Sequence, residues 1–159
     1  MTASQFDTYA EYLIALDQLV TTAEHSIRIY DHDLQAGDFN SKARYARLHD
    51  FCLAGGARRI EILLDDAAYV QKRCPRVMTL LRDFSHVIEI RQTDPDSERP
   101  NYRFALGDRG AVLKRFDKDA MHGQFNPDDI ASAAMLHQQF DQLWQRSAGS
   151  VSATTLGLG

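Results

Sequence analysis

The run Arg-Ile-Glu-Ile-Leu-Leu at Arg59–Leu64 constrains the fold more than any other stretch of the chain. Four of its six residues are branched aliphatics, with Gly55-Gly56 shortly before it and Asp65-Asp66 directly after. That apolar density predicts a central, mostly buried strand. Two further segments alternate with period two and predict strands: residues 26–30 (Ser-Ile-Arg-Ile-Tyr) and 87–91 (Val-Ile-Glu-Ile-Arg). Helical periodicity fills the gaps. Phe6, Tyr9, Leu13, Leu16 and Val20 make one stripe over residues 6–23. Ser41 is placed to cap a helix over residues 42–54, which buries Tyr45, Leu48, Phe51 and Cys52 and stops at Gly55-Gly56. A stretch broken by Pro75 carries Val77, Leu80, Leu81 and Phe84 on its apolar side. Strands that alternate with helices pair in parallel through right-handed crossovers.

The second half of the chain changes pattern. Residues 102–115 place two short apolar runs around Gly107-Asp108-Arg109-Gly110, which predicts a β-hairpin. The sheet is therefore expected to be mixed. Residues 121–125 read as a short edge strand, with Asn126 as the cap of the last helix and Pro127 at its start. That helix runs to about Arg146 on the stripe Ile130, Ala133, Leu136, Phe140, Leu143 and Trp144. The expectation is one α/β domain over residues 1–146 and a disordered tail over residues 147–159.

The bulk chemistry removes several function classes. A net charge of −4 and a pI near 5.8 argue against a strongly basic nucleic-acid binder, leaving room only for a local basic patch. The two cysteines, Cys52 and Cys74, belong to no CxxC pair, so neither a disulfide framework nor a structural zinc site is expected. HExxH, GxSxG and glycine-rich phosphate-loop patterns are absent, and no cofactor is implied. The first residues have neither a basic nor an apolar signal region, and no run reaches the roughly 20 apolar residues of a membrane helix. A cytoplasmic protein is expected.

The order of these elements resembles the phospholipase D-like domains. Residues 16–66 follow the opening of that fold, with a small-residue turn at Ala54-Gly55-Gly56-Ala57 before a buried strand that ends in acids. The family's HxKxxxxD motif aligns with Asn101, Arg103 and Asp108, and Phe140-Asp141-Gln142-Leu143-Trp144 resembles its closing helix. The family's downstream GSxN element is met only by Gly123-Gln124-Phe125-Asn126, with glutamine for serine and a longer spacing. In the family the motif histidine attacks a phosphodiester, the lysine holds phosphate oxygens and the aspartate orients a histidine. Nucleophilic and proton-transfer roles need an imidazole, which titrates near neutrality. Asn101 has none. Arg103 for lysine keeps a phosphate-binding cation, and a bidentate one. The resemblance thus implies a catalytically degenerate member that acts as a binding or interaction module, with Asn101, Arg103 and Asp108 as candidate phosphate ligands. In that family a single motif copy goes with face-to-face pairing of two chains, so the resemblance also implies a homodimer.

The alternative is a phosphodiesterase or nuclease with a relocated histidine. His122 precedes the expected edge strand, and His32 stands between Asp31 and Asp33 at the end of the first strand, where α/β sheets place ligands. His137 shares a helix line with Ile130, Ala133 and Trp144 and reads as a core-edge residue. A basic groove built from Arg59, Arg103, Lys114 and Arg115 is the one nucleic-acid surface their expected sheet positions allow.

Overall fold

The computed structural model describes residues 3–153. Its elements run β1 (Ser4–Phe6), α1 (Tyr9–Thr22), β2 (Ser26–Asp31), α2 (Lys42–Leu53), β3 (Arg59–Leu64), α3 (Ala68–Arg73), α4 (Pro75–Asp83), β4 (Ile88–Gln92), β5 (Arg103–Leu106), β6 (Val112–Arg115), β7 (Gly123–Asn126), α5 (Ile130–Gln145) and β8 (Gly149–Ser150). Among the described residues they form one eight-stranded sheet in the order β1-β7-β6-β5-β2-β3-β4-β8. β2, β3 and β4 are parallel, and every other pairing is antiparallel. The expected mixed sheet is thus present, with β3 between two parallel neighbours as its aliphatic run requires.

The alternation of side chains across the strands divides the core. Ile27, Ile29, Ile60, Ile62, Leu64 and Ile90 pack with α1 to α4 on one face. Tyr30, Leu63, Phe104, Leu106 and Val112 pack with Ala133, Leu136, Phe140 and Trp144 of α5 on the other. Helix ends follow local chemistry. Thr8 and Glu11 make a reciprocal capping box at α1, and Ser41 caps α2 by accepting from the Arg44 N–H. Gly55 and Gly56 both take φ of +73°, the left-handed turn that ends α2. Pro75 starts α4 instead of merely interrupting one helix, because its fixed φ suits a first turn.

Four sequence expectations are corrected. Phe6 belongs to strand β1 and not to the first helix, and its buried ring packs on Tyr12. β7 is an interior strand between β6 and β1, so the edge falls on three residues too short to show periodicity. Asp129, not Asn126, caps α5, accepting from the Ser132 N–H, and Pro127 lies in the turn before it. The expected tail begins in order: Gly149–Ser150 pairs with β4 and Val151 donates to the Ile90 carbonyl at 2.8 Å. The rest of it, residues 154–159, lies outside the described residues.

The hairpin β5–β6 packs closely at its tip. A Cβ added at Gly110 would stand 2.7 Å from the Asp129 backbone nitrogen, and the Gly110 carbonyl accepts from that N–H. The tip is therefore fastened to the start of α5. Among the described residues no helix is long and apolar enough to cross a membrane.

Candidate functional site

After β4 the chain crosses back to the far side of β2, so β2 has parallel β3 on one side and antiparallel β5 on the other. A reversal of this kind leaves a crevice at the carboxyl ends of the parallel strands. The side chains leaving those ends are Asp31 as the last residue of β2, His32 after it, Asp65 after β3 and Thr93 after β4. The starting residues of β5 arrive beside them. A cleft of about 420 Å³ results, lined by His32, Asp65, Arg99, Asn101, Arg103 and Lys118 among others.

Asp65 organises its floor. Its carboxylate is ion-paired with Arg103, and both side chains are almost fully buried. It also accepts from Thr93 Oγ1 at 3.1 Å, Arg99 Nη1 at 3.2 Å and the Tyr30 hydroxyl at 3.3 Å. His32 Nδ1 stands 3.4 Å from its other oxygen. Burial alone would push this carboxyl up, but Arg103 and the hydroxyl and imidazole contacts outweigh it and hold the group below the usual carboxylate range. Arg103 is further fixed by donating from Nη1 to the carbonyls of Pro100 and Tyr102, and its guanidinium lies 4.4 Å from the Tyr30 ring centroid.

A second ion pair, Asp31 with Arg115, stands behind the first and is equally buried. Arg103 and Arg115 are directly opposite each other across β5 and β6. Two like charges at such a position are tolerated because each has its own carboxylate. Asp31 also accepts from the Leu34 N–H at 3.0 Å. Leu34 takes a φ of +65°, so Asp31 helps hold the loop that carries His32 in a left-handed turn. Burial raises the Asp31 carboxyl above its ordinary range, with Arg115 pulling the other way.

The sequence candidates separate in space. Asn101, Arg103 and His32 meet in the cleft, where the Asn101 amide donates to Asp117 at 3.1 Å. Asp108 does not join them. It lies at the tip of the hairpin and accepts from the backbone N–H groups of Glu24, His25 and Ser26 at 2.6, 3.0 and 2.9 Å. His122 stacks edge-on against Phe116, 5.4 Å between centroids, and does not line the cleft. The expected basic groove does not form either. Arg59 starts β3, at the end of the sheet away from Arg103 and Arg115, and faces Glu61 and Glu89. Lys114 is held over the Tyr102 ring at 4.0 Å. Residues that sequence reasoning passed over are Arg99, Thr93, Lys118 and the Asp31–Arg115 pair. Only strand register could have revealed them, since no motif links them. Among the described residues no three His, Cys, Asp or Glu side chains converge as a metal site.

Comparison with solved structures gives the same fold in proteins of low sequence identity. Nuc from Salmonella typhimurium, a phospholipase D family member, matches with a TM-score of 0.65 at 14% identity over 94% of this chain and 96% of its own. NucT from Helicobacter pylori matches at 0.61 and 13% identity, over 92% and 98%. The archaeal chromatin protein TrmBL2, described with a novel mode of DNA binding, matches at 0.67 and 12% identity; this chain is 92% covered but spans only 54% of that one. No match is found among curated protein sequences. Residues 8–155 match one family model, so the chain belongs to the DUF7931 family, a domain of unknown function on a phospholipase D-like fold.

Proposed function

We propose that this domain is a catalytically degenerate phospholipase D-like module that binds a phosphate-bearing ligand at the cleft without hydrolysing it. One observation carries the reading: the cleft keeps cations at the ends of the parallel strands while the motif's imidazole position is an amide, Asn101, that donates to Asp117. Arg103 is already held by Asp65 and two carbonyls and is almost fully buried, so the ligand falls to Arg99 and Lys118 at the more exposed rim. Asp108 is a scaffold residue in this reading. Pairing of two chains, implied by the resemblance, would bring two such clefts together.

A second reading has a specific observation in its favour. His32 stands in the cleft with one ring nitrogen against Asp65, an arrangement that would orient an imidazole for attack on phosphorus or for proton transfer. It takes precedence over His122, which does not line the cleft. The similar DNA-binding chromatin protein raises nucleic acid as the source of the phosphate. With a net charge of −4, the cleft suits one phosphate group better than a track along a backbone.

Calorimetric titration with inorganic phosphate, alongside turnover of bis(p-nitrophenyl) phosphate, tests both. Saturable phosphate binding that is lost in Arg99→Ala and in Lys118→Ala, with no turnover, is expected. Turnover that disappears in His32→Ala would replace the first reading with the second. Neither binding nor turnover would sink both.

A further inference from the structure

Among the described residues, one buried side-chain nitrogen or oxygen has no hydrogen-bond partner: Nε of Arg103. The other two nitrogens of that guanidinium are engaged, Nη2 with Asp65 and Nη1 with two backbone carbonyls. A buried N–H left without an acceptor is costly, and native proteins rarely keep one. Arg103 also lines a void of about 10 Å³, together with Asp31, Arg115, Tyr12, Tyr30 and four apolar residues, Ala105 among them. That is about the space of one water molecule, and the lining is polar enough to hold it. Five of the nine lining residues carry a polar or charged group. An apolar void of the same size would stay dry.

We infer that this void is a binding site for a single internal water, which accepts from Arg103 Nε and joins the Asp65–Arg103 pair to the Asp31–Arg115 pair behind it. The water has a donor in Arg103 and an acceptor in the Asp31 carboxylate, which no other group in the lining neutralises as directly as Arg115. The inference is independent of what the cleft binds, and it bears on the cleft in one way. With Nε satisfied inward, all three nitrogens of the Arg103 guanidinium are engaged within the protein. The position that aligns with the motif's phosphate-holding lysine has become part of a closed, hydrated ionic core.

A crystal structure of the full chain at atomic resolution tests this. One isolated density peak within hydrogen-bonding distance of Arg103 Nε is expected. An empty void, or a protein acceptor turned onto Nε, would overturn it. Ala105→Ser provides a second measurement, because its hydroxyl would enter the same space. Oxygen-17 magnetic relaxation dispersion, which counts long-lived internal waters, should lose one water between the native chain and this variant. An unchanged count in a folded Ala105→Ser protein would also overturn the inference.

Discussion

The two ends of the β5–β6 hairpin are each fastened by a carboxylate, and the two fastenings differ in kind. At the open end Asp65 gathers side chains from four places in the chain: Tyr30, His32, Thr93 and the arginines Arg99 and Arg103. At the tip Asp108 gathers only backbone N–H groups, from the turn between α1 and β2. The first arrangement depends on the identity of five side chains, and its carboxylate is almost fully buried. The second needs no particular partner residue, since every non-proline residue brings an N–H. A chemical site can be altered only at the first. The comparison therefore separates scaffold from site within one motif spacing: Asp108 holds the fold, and Asn101 faces the cleft.

The largest effect should come from breaking the open end. Asp65→Ala leaves Arg103 buried without its counter-charge, and an unpaired buried charge costs about 3–5 kcal/mol. Urea denaturation followed by circular dichroism would measure it. The double variant Asp65→Leu with Arg103→Met should recover much of that loss, because apolar replacement of both partners removes the uncompensated charge. A double variant as unstable as Asp65→Ala would show that the other donors, not Arg103, are what Asp65 serves.

At the tip the expected loss is smaller. Asp108→Ala removes hydrogen bonds from three N–H groups that are partly open to water, a loss of about 2 kcal/mol. Asp108→Asn, which keeps one acceptor oxygen, should lose about half as much. Neither variant should alter phosphate affinity in the calorimetric titration. A weakened affinity in a fully folded Asp108→Asn protein would join the two ends functionally and end the separation of scaffold from site.

How far the sequence could be read follows the same division. The parallel core was legible because β2, β3 and β4 carry dense or alternating aliphatics, and their helices carry stripes and caps. The hairpin was legible from its glycines. β1 and the order of the sheet's far side were not, because three residues carry no period and because Phe6 fits a helical stripe as well as a strand. At the site, the resemblance to the HxKxxxxD motif suggested that Asn101, Arg103 and Asp108 act together. Strand geometry sends Asp108 to the opposite end, since β5 runs its full length between them. The pairs Asp31–Arg115 and Asp65–Arg103 join residues 84 and 38 positions apart, and nothing local in the sequence encodes such partners.

Acid provides the mildest probe, and it reaches a third fastening on the other face of the sheet. There α5 meets β2 through Arg28, which donates to His137 Nδ1 at 3.2 Å while pairing with Glu61 and Asp141 and lying 4.8 Å from the Phe140 ring centroid. Burial, and then the Arg28 charge, lower the His137 imidazole below its ordinary value, with Asp141 and Glu61 opposing. The folded chain thus binds fewer protons here than the unfolded chain, so stability rises with pH in this window. It should begin to fall as pH drops below about 6.5 and be fully lost below the folded value. Asp65 behaves in the same direction in a lower window. Its carboxyl is held below the usual range, so its contribution is complete above about 4 and is lost as pH falls further. Denaturation midpoints between pH 7 and pH 5 in His137→Gln should lose their slope, while the steeper loss below about pH 4 remains. If the upper slope persists in His137→Gln, the titrating group is elsewhere, and Arg28 holds α5 through its carboxylates alone.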